Sequence, residues 1–280
     1  MKRIILLGMT IIITIGLAVS LATPAGAITW GQADTTHKNV GAVLIEVPMP
    51  DGTSQLQVFG SGTLIAPTVV LTAGHVTAYL NYLLYMDQIT KVYVSFDADL
   101  ISSTRTLLPV DSCITHPLFN GFRGPSGRSD PYDVGILILP DEVVGITPAV
   151  LPLPEVGVLD NLLNEGALRQ GKNVAKFTVV GYGSALNWPP PEITYGSQRQ
   201  SAESGFQALL PAWLRLSQNQ KTGNGGTGYG DSGGPVFCTI GGQEVLVAVT
   251  SWGDKNTISM GFYYRIDTAE ARSFIDPYLQ

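Results

Sequence analysis

The chain has 280 residues, of which 45% are hydrophobic and 14% charged, and its formal net charge is −6 at pH 7. This length is ample for two hydrophobic cores, and the acidic balance, with no cluster of Lys or Arg beyond the N-terminus, argues against nucleic acid as a partner. The 32 glycines and 18 prolines favour a protein of many short strands over a helical one.

The N-terminus predicts a secretory signal peptide. Lys2 and Arg3 precede an uncharged run at residues 4–22, and A-G-A at 25–27 supplies the small residues of a cleavage site. We therefore expect residues 1–27 to be removed, residues 28–280 to be secreted, and contact with a membrane to be transient. The apolar run is also long enough to span a bilayer, so an uncleaved anchor is the alternative.

Strands and turns are predicted through most of the remaining chain. In the first half, apolar β-branched segments separated by Pro and Gly turns lie at 40–47, 55–65, 68–72, 91–96 and 106–115. Residues 76–89 are apolar and aromatic at mixed spacing and predict a helical or loop insertion. A loop rich in Gly, Ser and Pro at 119–132 leads to a run at 133–139 that is apolar enough to be buried on both faces.

The second half predicts another set of strands, at 177–183, 213–218, 235–240, 245–252 and 261–266. A flexible excursion is predicted at 187–204, and a short helix at 159–168. The predicted organisation is a first unit at about 28–140, a connection at about 141–176, a second unit at about 177–266 and a C-terminal helix at 268–279.

The most unusual stretch of the sequence is G-Y-G-D-S-G-G-P at residues 228–235. Glycines permit positive φ and close approach of a ligand, so the N–H groups of Gly230 and Ser232 could both point at one developing oxyanion. Two residues elsewhere in the chain could assist Ser232 in catalysis. His75 follows a β-branched run at a strand end, and Asp133 opens the apolar run at 133–139. Each motif alone also fits a plain turn or a structural residue, but the three occur together in the order His, Asp, Ser.

Four motifs carry a resemblance to a known family: T-A-G-H at 72–75, D-V-G-I-L at 133–137, G-D-S-G-G-P at 230–235 and T-S-W-G at 250–253. In this order they resemble the chymotrypsin/trypsin family of serine endopeptidases, and the resemblance covers most of residues 28–280. It implies an all-β fold of two six-stranded antiparallel β-barrels, with the active site in the cleft between them and a C-terminal helix. It also implies a monomer that acts on protein or peptide substrates without a cofactor or metal.

The resemblance implies a role for each matching residue. His75 would be the general base, Asp133 the carboxylate that orients it, and Ser232 the nucleophile that forms an acyl-enzyme. The N–H groups of Gly230 and Ser232 would form the oxyanion hole, and Ser251 would hydrogen-bond Asp133.

The match is incomplete at the predicted substrate pocket. Gly226 stands where trypsin-like members carry an aspartate, while Gly253 and Gly261 match glycines of the pocket wall. We therefore expect the pocket to prefer an uncharged residue. Asp254, one residue past the wall, is the alternative source of charge, and Gly228 replaces a cysteine that is usual in this pocket.

Cleavage after residue 27 would make Ile28 the new N-terminus. In the family, such an N-terminus folds inward and its ammonium group pairs with the aspartate before the catalytic serine, here Asp231. Thr29 and Trp30 stand where Val and Gly are usual in this segment.

Other interpretations of these residues are weaker. Ser232 also satisfies the G-x-S-x-G motif of α/β-hydrolases, but that fold needs a histidine after the serine, and none follows His116, which we interpret as structural. Asp130 lies near Asp133 but lacks the apolar run behind it. Two alternative functions are a catalytically silent binding module on the same fold and an esterase or transacylase with the same triad.

Cysteine usage is low for the family. Cys238 stands where a family half-cystine stands, but the position of its usual partner holds Phe177, and Cys113 belongs to the other half of the chain. We therefore expect two free thiols. Two cysteines with no histidine at ligand spacing also argue against a structural zinc site.

Overall fold

The computed structural model describes residues 28–121, 130–152, 156–171, 174–187 and 192–279. The predicted signal peptide lies outside the described residues, as does most of the predicted loop at 119–132. Within the described ranges, no helix has the length and apolar character needed to cross a membrane.

Strands dominate the fold, so the all-β prediction is confirmed. The elements of the first half are, in chain order, β1 (Gln32–Ala33), β2 (Val40–Pro48), β3 (Ser54–Ala66), β4 (Val69–Thr72), α1 (Gly74–Tyr85), β5 (Lys91–Ser95), β6 (Leu108–Pro109), β7 (Ser112–Thr115) and β8 (Gly135–Ile138). Those of the second half are α2 (Val158–Asn164), β9 (Lys176–Gly181), β10 (Ser184–Asn187), β11 (Glu192–Tyr195), β12 (Gln200–Leu209), β13 (Trp213–Ser217), β14 (Pro235–Ile240), β15 (Gln243–Gly253), β16 (Met260–Arg265) and α3 (Ala269–Ile275).

The first sheet is a curled sheet with the strand order β6-β5-β2-β3-β4-β8-β7. The strand predicted at 106–115 is divided into β6 and β7, because the chain changes partner between them. Val110 N donates to Val92 O at the end of β5, at 2.9 Å, whereas Asp111 N donates to Ile138 O of β8, at 2.8 Å. The two edges of the curled sheet are therefore consecutive in the chain, and the strand count differs from the predicted six.

The second sheet closes into a barrel of six strands in the order β12-β13-β16-β15-β14-β9, with β9 pairing back to β12 and β1 added beside β12. The region predicted as a flexible excursion at 187–204 contains β11 and the first half of β12, so that prediction is wrong for these residues. The sequence of β12, Q-S-A-E-S-G-F-Q-A-L, has few residues that favour strands. Pairing with β9 on one side and β13 on the other imposes the extended conformation.

The segment before β2 is anchored by a buried charge cluster. Asp34 Oδ2 accepts a hydrogen bond from His37 Nδ1 at 2.5 Å, and Asp34 Oδ1 lies 3.4 Å from Arg199 Nε. The His37 ring stacks on Phe237, and its Nε2 lies 3.2 Å from the Glu244 carboxylate. Burial lowers the pKa of His37, but the two carboxylates outweigh it, so this pKa lies above its ordinary value.

The two sheets meet at Ser61, in β3. Its N–H donates to Ser232 O at 2.8 Å, and its Oγ accepts from Tyr182 N at 3.1 Å. The fully buried Tyr182 then donates its hydroxyl to Asp97 O at 2.8 Å. Backbone atoms of the second barrel are thus fixed by a residue of the first sheet.

The three α-helices in the described part of the chain are short. α1 buries Val76, Leu80 and Leu83 against the first sheet. α2 ends four residues before the predicted helix at 159–168 does. α3 begins after Thr268, whose Oγ1 caps it by accepting from Ala271 N at 3.2 Å.

Candidate active site

Antiparallel pairing of β4 with β8 brings His75 and Asp133 together. Thr72, the last residue of β4, is the register partner of Gly135, the first residue of β8. His75 lies three residues after Thr72, in the first turn of α1, and Asp133 lies two residues before Gly135. The intervening Gly74 is required by space, because a Cβ there would lie 2.9 Å from Val134 N.

The buried Asp133 carboxylate is hydrogen-bonded to both His75 and Ser251. Its Oδ1 accepts from His75 N at 2.7 Å, and both of its oxygens lie 3.0 Å from His75 Nδ1. Ser251 donates its hydroxyl to Oδ2. Burial raises the pKa of Asp133, but the charge and hydrogen bonds of His75 and the hydrogen bond from Ser251 outweigh it, so this pKa is lowered. An ionised carboxylate only accepts, so Nδ1 carries the ring proton, and in the neutral imidazole Nε2 keeps its lone pair.

The loop that carries Ser232 is held in one conformation by glycines and backbone bonds. Gly230 and Gly233 have φ of 89° and 81°, in the left-handed region. A Cβ on Gly233 would overlap Thr72 Oγ1. Gly233 N donates to Thr250 O at 2.8 Å, and Ser232 O accepts from Ser61 N at the same distance. Among the described residues, neither the Gly230 nor the Ser232 N–H donates to a protein acceptor.

His75 and Ser232 together line two cavities. The first, which we call the strand-side cavity, has a volume of about 350 Å³ and is lined by His75, Thr227–Gly230, Ser232, Thr250–Asp254 and Thr257. The second, which we call the helix-side cavity, has a volume of about 410 Å³ and is lined by Phe59, His75, Val76, Ala78, Tyr79, Phe119 and Ser232. The His75 ring and the Ser232 side chain therefore lie between two cavities.

The predicted pocket residues are only partly brought together. Gly253 lines the strand-side cavity, but Gly226 and Gly261 do not. A Cβ on Gly226 would overlap the buried side chain of Gln218, and one on Gly261 would lie 2.5 Å from Tyr263 Oη. Because they have no Cβ, Gly226 and Gly261 leave room for the side chains of Gln218 and Tyr263, which pack next to them outside the cavity lining.

Sequence reasoning missed the hydroxyl-bearing wall of the strand-side cavity. Thr227, Thr250 and Thr257 line it; Thr250 belongs to the T-S-W-G motif but was given no role there, and Thr227 and Thr257 lie in no motif that would have identified them. Asp254 also lines it, but its Oδ1 already accepts from the N–H groups of Ser259 and Met260, both at 2.9 Å.

The structure does not join Ile28 to Asp231. Ile28 is buried, with 1% of its surface exposed, and its N–H donates to Gln200 Oε1 at 3.2 Å. Asp231 is fully buried and accepts from Gly228 N at 2.7 Å and Gly183 N at 2.8 Å, and no described cation contacts it. Burial raises the pKa of Asp231 to about 8, although both N–H groups act in the opposite direction.

Asp130 and His116 lie apart from these contacts. Asp130 accepts from Tyr132 N at 2.7 Å and from Tyr264 Oη at 3.2 Å, so Asp133 is the carboxylate that contacts the His75 ring. His116 stacks on Tyr132, with ring centroids 4.8 Å apart. His116 thus packs just after β7, and Asp130 is bonded to Tyr264 of β16.

Both cysteines are unpaired, as the sequence predicts. Cys113 is in β7 and Cys238 in β14, so they belong to different sheets. Burial raises the pKa of both thiols to about 11. The described residues contain no group of three or more His, Cys, Asp and Glu side chains that could hold a metal ion.

The family model described as Trypsin matches residues 39–272. The matched range contains His75, Asp133, Ser232 and Ser251, whereas Ile28 precedes it.

Proposed function

Since the chain belongs to the trypsin family, we propose that it is a secreted serine endopeptidase that hydrolyses peptide bonds through His75, Asp133 and Ser232. One observation carries the proposal: the buried Asp133 carboxylate binds the Nδ1 side of His75, while His75 and Ser232 line the same cavities. This is the arrangement that activates a serine hydroxyl.

Acylation begins when Ser232 Oγ attacks the carbonyl carbon of the substrate. His75 Nε2 takes the hydroxyl proton, and Asp133 stabilises the imidazolium that results. Collapse of the tetrahedral intermediate breaks the C–N bond as Nε2 gives its proton to the leaving amine. Water then attacks the acyl-enzyme with His75 as base, and Ser232 recovers its proton.

The negative charge that develops on the carbonyl oxygen needs donors. The Gly230 and Ser232 N–H groups are suited to this role, because both residues line the strand-side cavity and neither N–H is used within the described protein. Loss of one such donor typically lowers kcat by about 10²- to 10³-fold.

The strand-side cavity would hold the side chain before the cleaved bond. Asp254 is the one acidic residue in its described lining, and the Oδ1 of this carboxylate already accepts from two backbone N–H groups. A substrate cation without a counter-charge would pay for its desolvation. An uncharged aromatic or bulky aliphatic residue should therefore be preferred. A preference above tenfold for Arg or Lys, in substrates that differ only at that residue, would refute this and implicate Asp254.

Release of a new N-terminus at Ile28 would activate the enzyme. Ile28 is already buried, and Thr29 forms a two-way backbone bridge with Gly226 beside the cavity. Gln200, which bonds Ile28 N, is the register partner of Gly181, and a Cβ on Gly181 would overlap the Asp231 carboxylate. The Ile28 nitrogen and the Asp231 carboxylate thus lie against the two members of one register pair, Gln200 and Gly181. A fully active secreted protein that starts before Ile28, as shown by mass spectrometry, would refute this step.

The main experiment is covalent labelling. An organophosphorus reagent should modify Ser232 alone, and Ser232→Ala should lose label and lower kcat on peptides by about 10³-fold or more. Ser273→Ala is the matched control, because Ser273 is an exposed serine of α3, and this variant should keep both the label on Ser232 and the native kcat. No labelling would favour the silent binding module, and labelling with hydrolysis of esters but not of peptides would favour an esterase or transacylase.

A further inference from the structure

The exposed side of α1 carries a row of stacked aromatic rings that begins at the active site. Tyr79 stacks against Phe59, with centroids 5.7 Å apart and planes at 18°, and against Tyr82, at 5.9 Å and 12°. We call Phe59, Tyr79 and Tyr82 the aromatic row. Its two tyrosines are 52% and 49% exposed, although large apolar side chains at the surface usually gain by burial.

The aromatic row is aligned with the catalytic histidine by helical spacing. His75, Tyr79 and Tyr82 are residues i, i+4 and i+7 of α1, so they share one face of the helix. Phe59 and Tyr79 line the helix-side cavity together with His75 and Ser232. The row therefore extends outward from the atoms that react.

The helix-side cavity is on the side of the leaving group. Among the described cavities, only the two already defined contain both His75 and Ser232. The acyl part of the substrate occupies the strand-side cavity, and the leaving amine must lie within reach of His75, which protonates it. The amine and the residues that follow it are thus directed to the helix-side cavity. Beyond Phe59, a larger cavity of about 600 Å³ continues along β3 and gives the chain room to leave.

We propose that the aromatic row binds the residues that follow the cleaved bond and makes the enzyme prefer an apolar or aromatic side chain there. This inference rests on the proposed function. Mutual stacking holds the rings in place, so little side-chain entropy is lost when they bind a ligand. The described residues that line the helix-side cavity include no acidic one, so a basic side chain would find no counter-charge among them.

An acyl-transfer assay measures binding on the leaving-group side of the site separately from binding on the acyl side. An ester substrate forms the acyl-enzyme on Ser232, and an added amino-acid amide then competes with water for it. The amine nitrogen attacks the acyl carbon, the bond to Ser232 Oγ breaks, and Oγ recovers a proton through His75 while the amine loses one. The ratio of amide product to acid product reports binding on the leaving side alone, because the same acyl-enzyme is partitioned in every case.

The measurement compares phenylalanine amide with glycine amide. We expect the native enzyme to favour phenylalanine amide by about tenfold, and Tyr79→Ser to lose most of that preference. Tyr79→Phe, which keeps the ring, should retain it. Tyr85→Ser is the matched control, because Tyr85 is 84% exposed on α1 and lines neither cavity.

The outcomes are distinct. Loss of the preference in Tyr79→Ser but not in Tyr79→Phe or Tyr85→Ser supports the inference. An unchanged preference in folded Tyr79→Ser overturns it, and so does a native enzyme that does not distinguish the two amides. If Tyr79→Ser does not fold, Tyr82→Ser at the outer end of the row replaces it, with an expected loss of about threefold. Absence of any acyl-enzyme on Ser232 refutes the proposed function itself, and the inference with it.

Discussion

The buried Asp231 carboxyl allows a quantitative test of the role of the N-terminus. Burial raises its pKa from 3.8 to about 8, so the folded chain favours the protonated form. Between these two values the folded state binds more protons than the unfolded state, and the free energy of unfolding must fall as pH rises. At 1.36 kcal/mol for each tenfold change in acidity, the penalty reaches about 6 kcal/mol at pH 8.

A chain that begins at Ile28 has an ammonium group that can pair with this carboxylate and remove the penalty. The pairing should raise the pKa of the ammonium group above its ordinary value of about 7.7 to 8.0. Its contribution is full below that value and is lost as pH rises through the raised pKa. We expect this chain to be more stable than one that begins at Ala27 by about 3 to 6 kcal/mol near pH 8. The difference should shrink towards pH 4, and again at strongly alkaline pH.

Urea unfolding of both chains across this pH range measures the difference. Both should carry Ser232→Ala, which would remove the proposed nucleophile and so prevent self-digestion. Asp231→Asn in each chain is the control, and it should abolish the pH-dependent difference while stabilising the chain that begins at Ala27. Equal stability of the two chains near pH 8, or a difference that survives Asp231→Asn, would show that the ammonium group does not pair with this carboxylate.

Three further outcomes are expected. Gly233→Ala should lower the free energy of unfolding by about 3 to 5 kcal/mol in urea titrations, because the cost of positive φ and the cost of a steric clash add. Gly52→Ala, where φ is positive but the surrounding space is open, should lower it by only about 1 to 2 kcal/mol. Ser251→Ala should lower kcat at least tenfold, as measured with titrated active sites, since a hydrogen bond to the charged Asp133 is worth about 1.5 to 3 kcal/mol; a kcat within twofold of native would contradict this. His37→Gln should destabilise the protein more at pH 6 than at pH 9 in thermal unfolding, because the raised pKa of His37 makes its contribution full below its ordinary pKa and lost as pH rises through the raised one; equal losses at both pH values would count against it.

Strands with a strong β-branched pattern could be predicted from the sequence, and β14 has the predicted bounds of 235–240. The loop of Ser232 was identifiable because its glycines meet a backbone requirement that few sequences share. β12 could not be predicted, because its extended form depends on pairing with β9 and β13 rather than on its own residues.

The walls of the substrate pocket were predictable only in part. Counting along the chain leads to Gly226, next to Thr227, and to Gly261 in β16, opposite Gly253, but which residue faces the cavity depends on packing. The buried side chains of Gln218 and Tyr263 fill the space beside these two glycines. Which side chains fill this space depends on residues distant in the sequence, so no local sequence pattern predicts it.

The contacts of Ser61 make the conformation of the Ser232 loop depend on both halves of the molecule. Its N–H holds Ser232 O while its Oγ accepts from Tyr182 N, so Ser232 is aligned only when the two halves have docked. In the proposed protease, a newly made chain with one finished half would therefore lack an oriented nucleophile. Nascent copies would then be harmless to one another, and any catalytic turnover would report a fully assembled molecule.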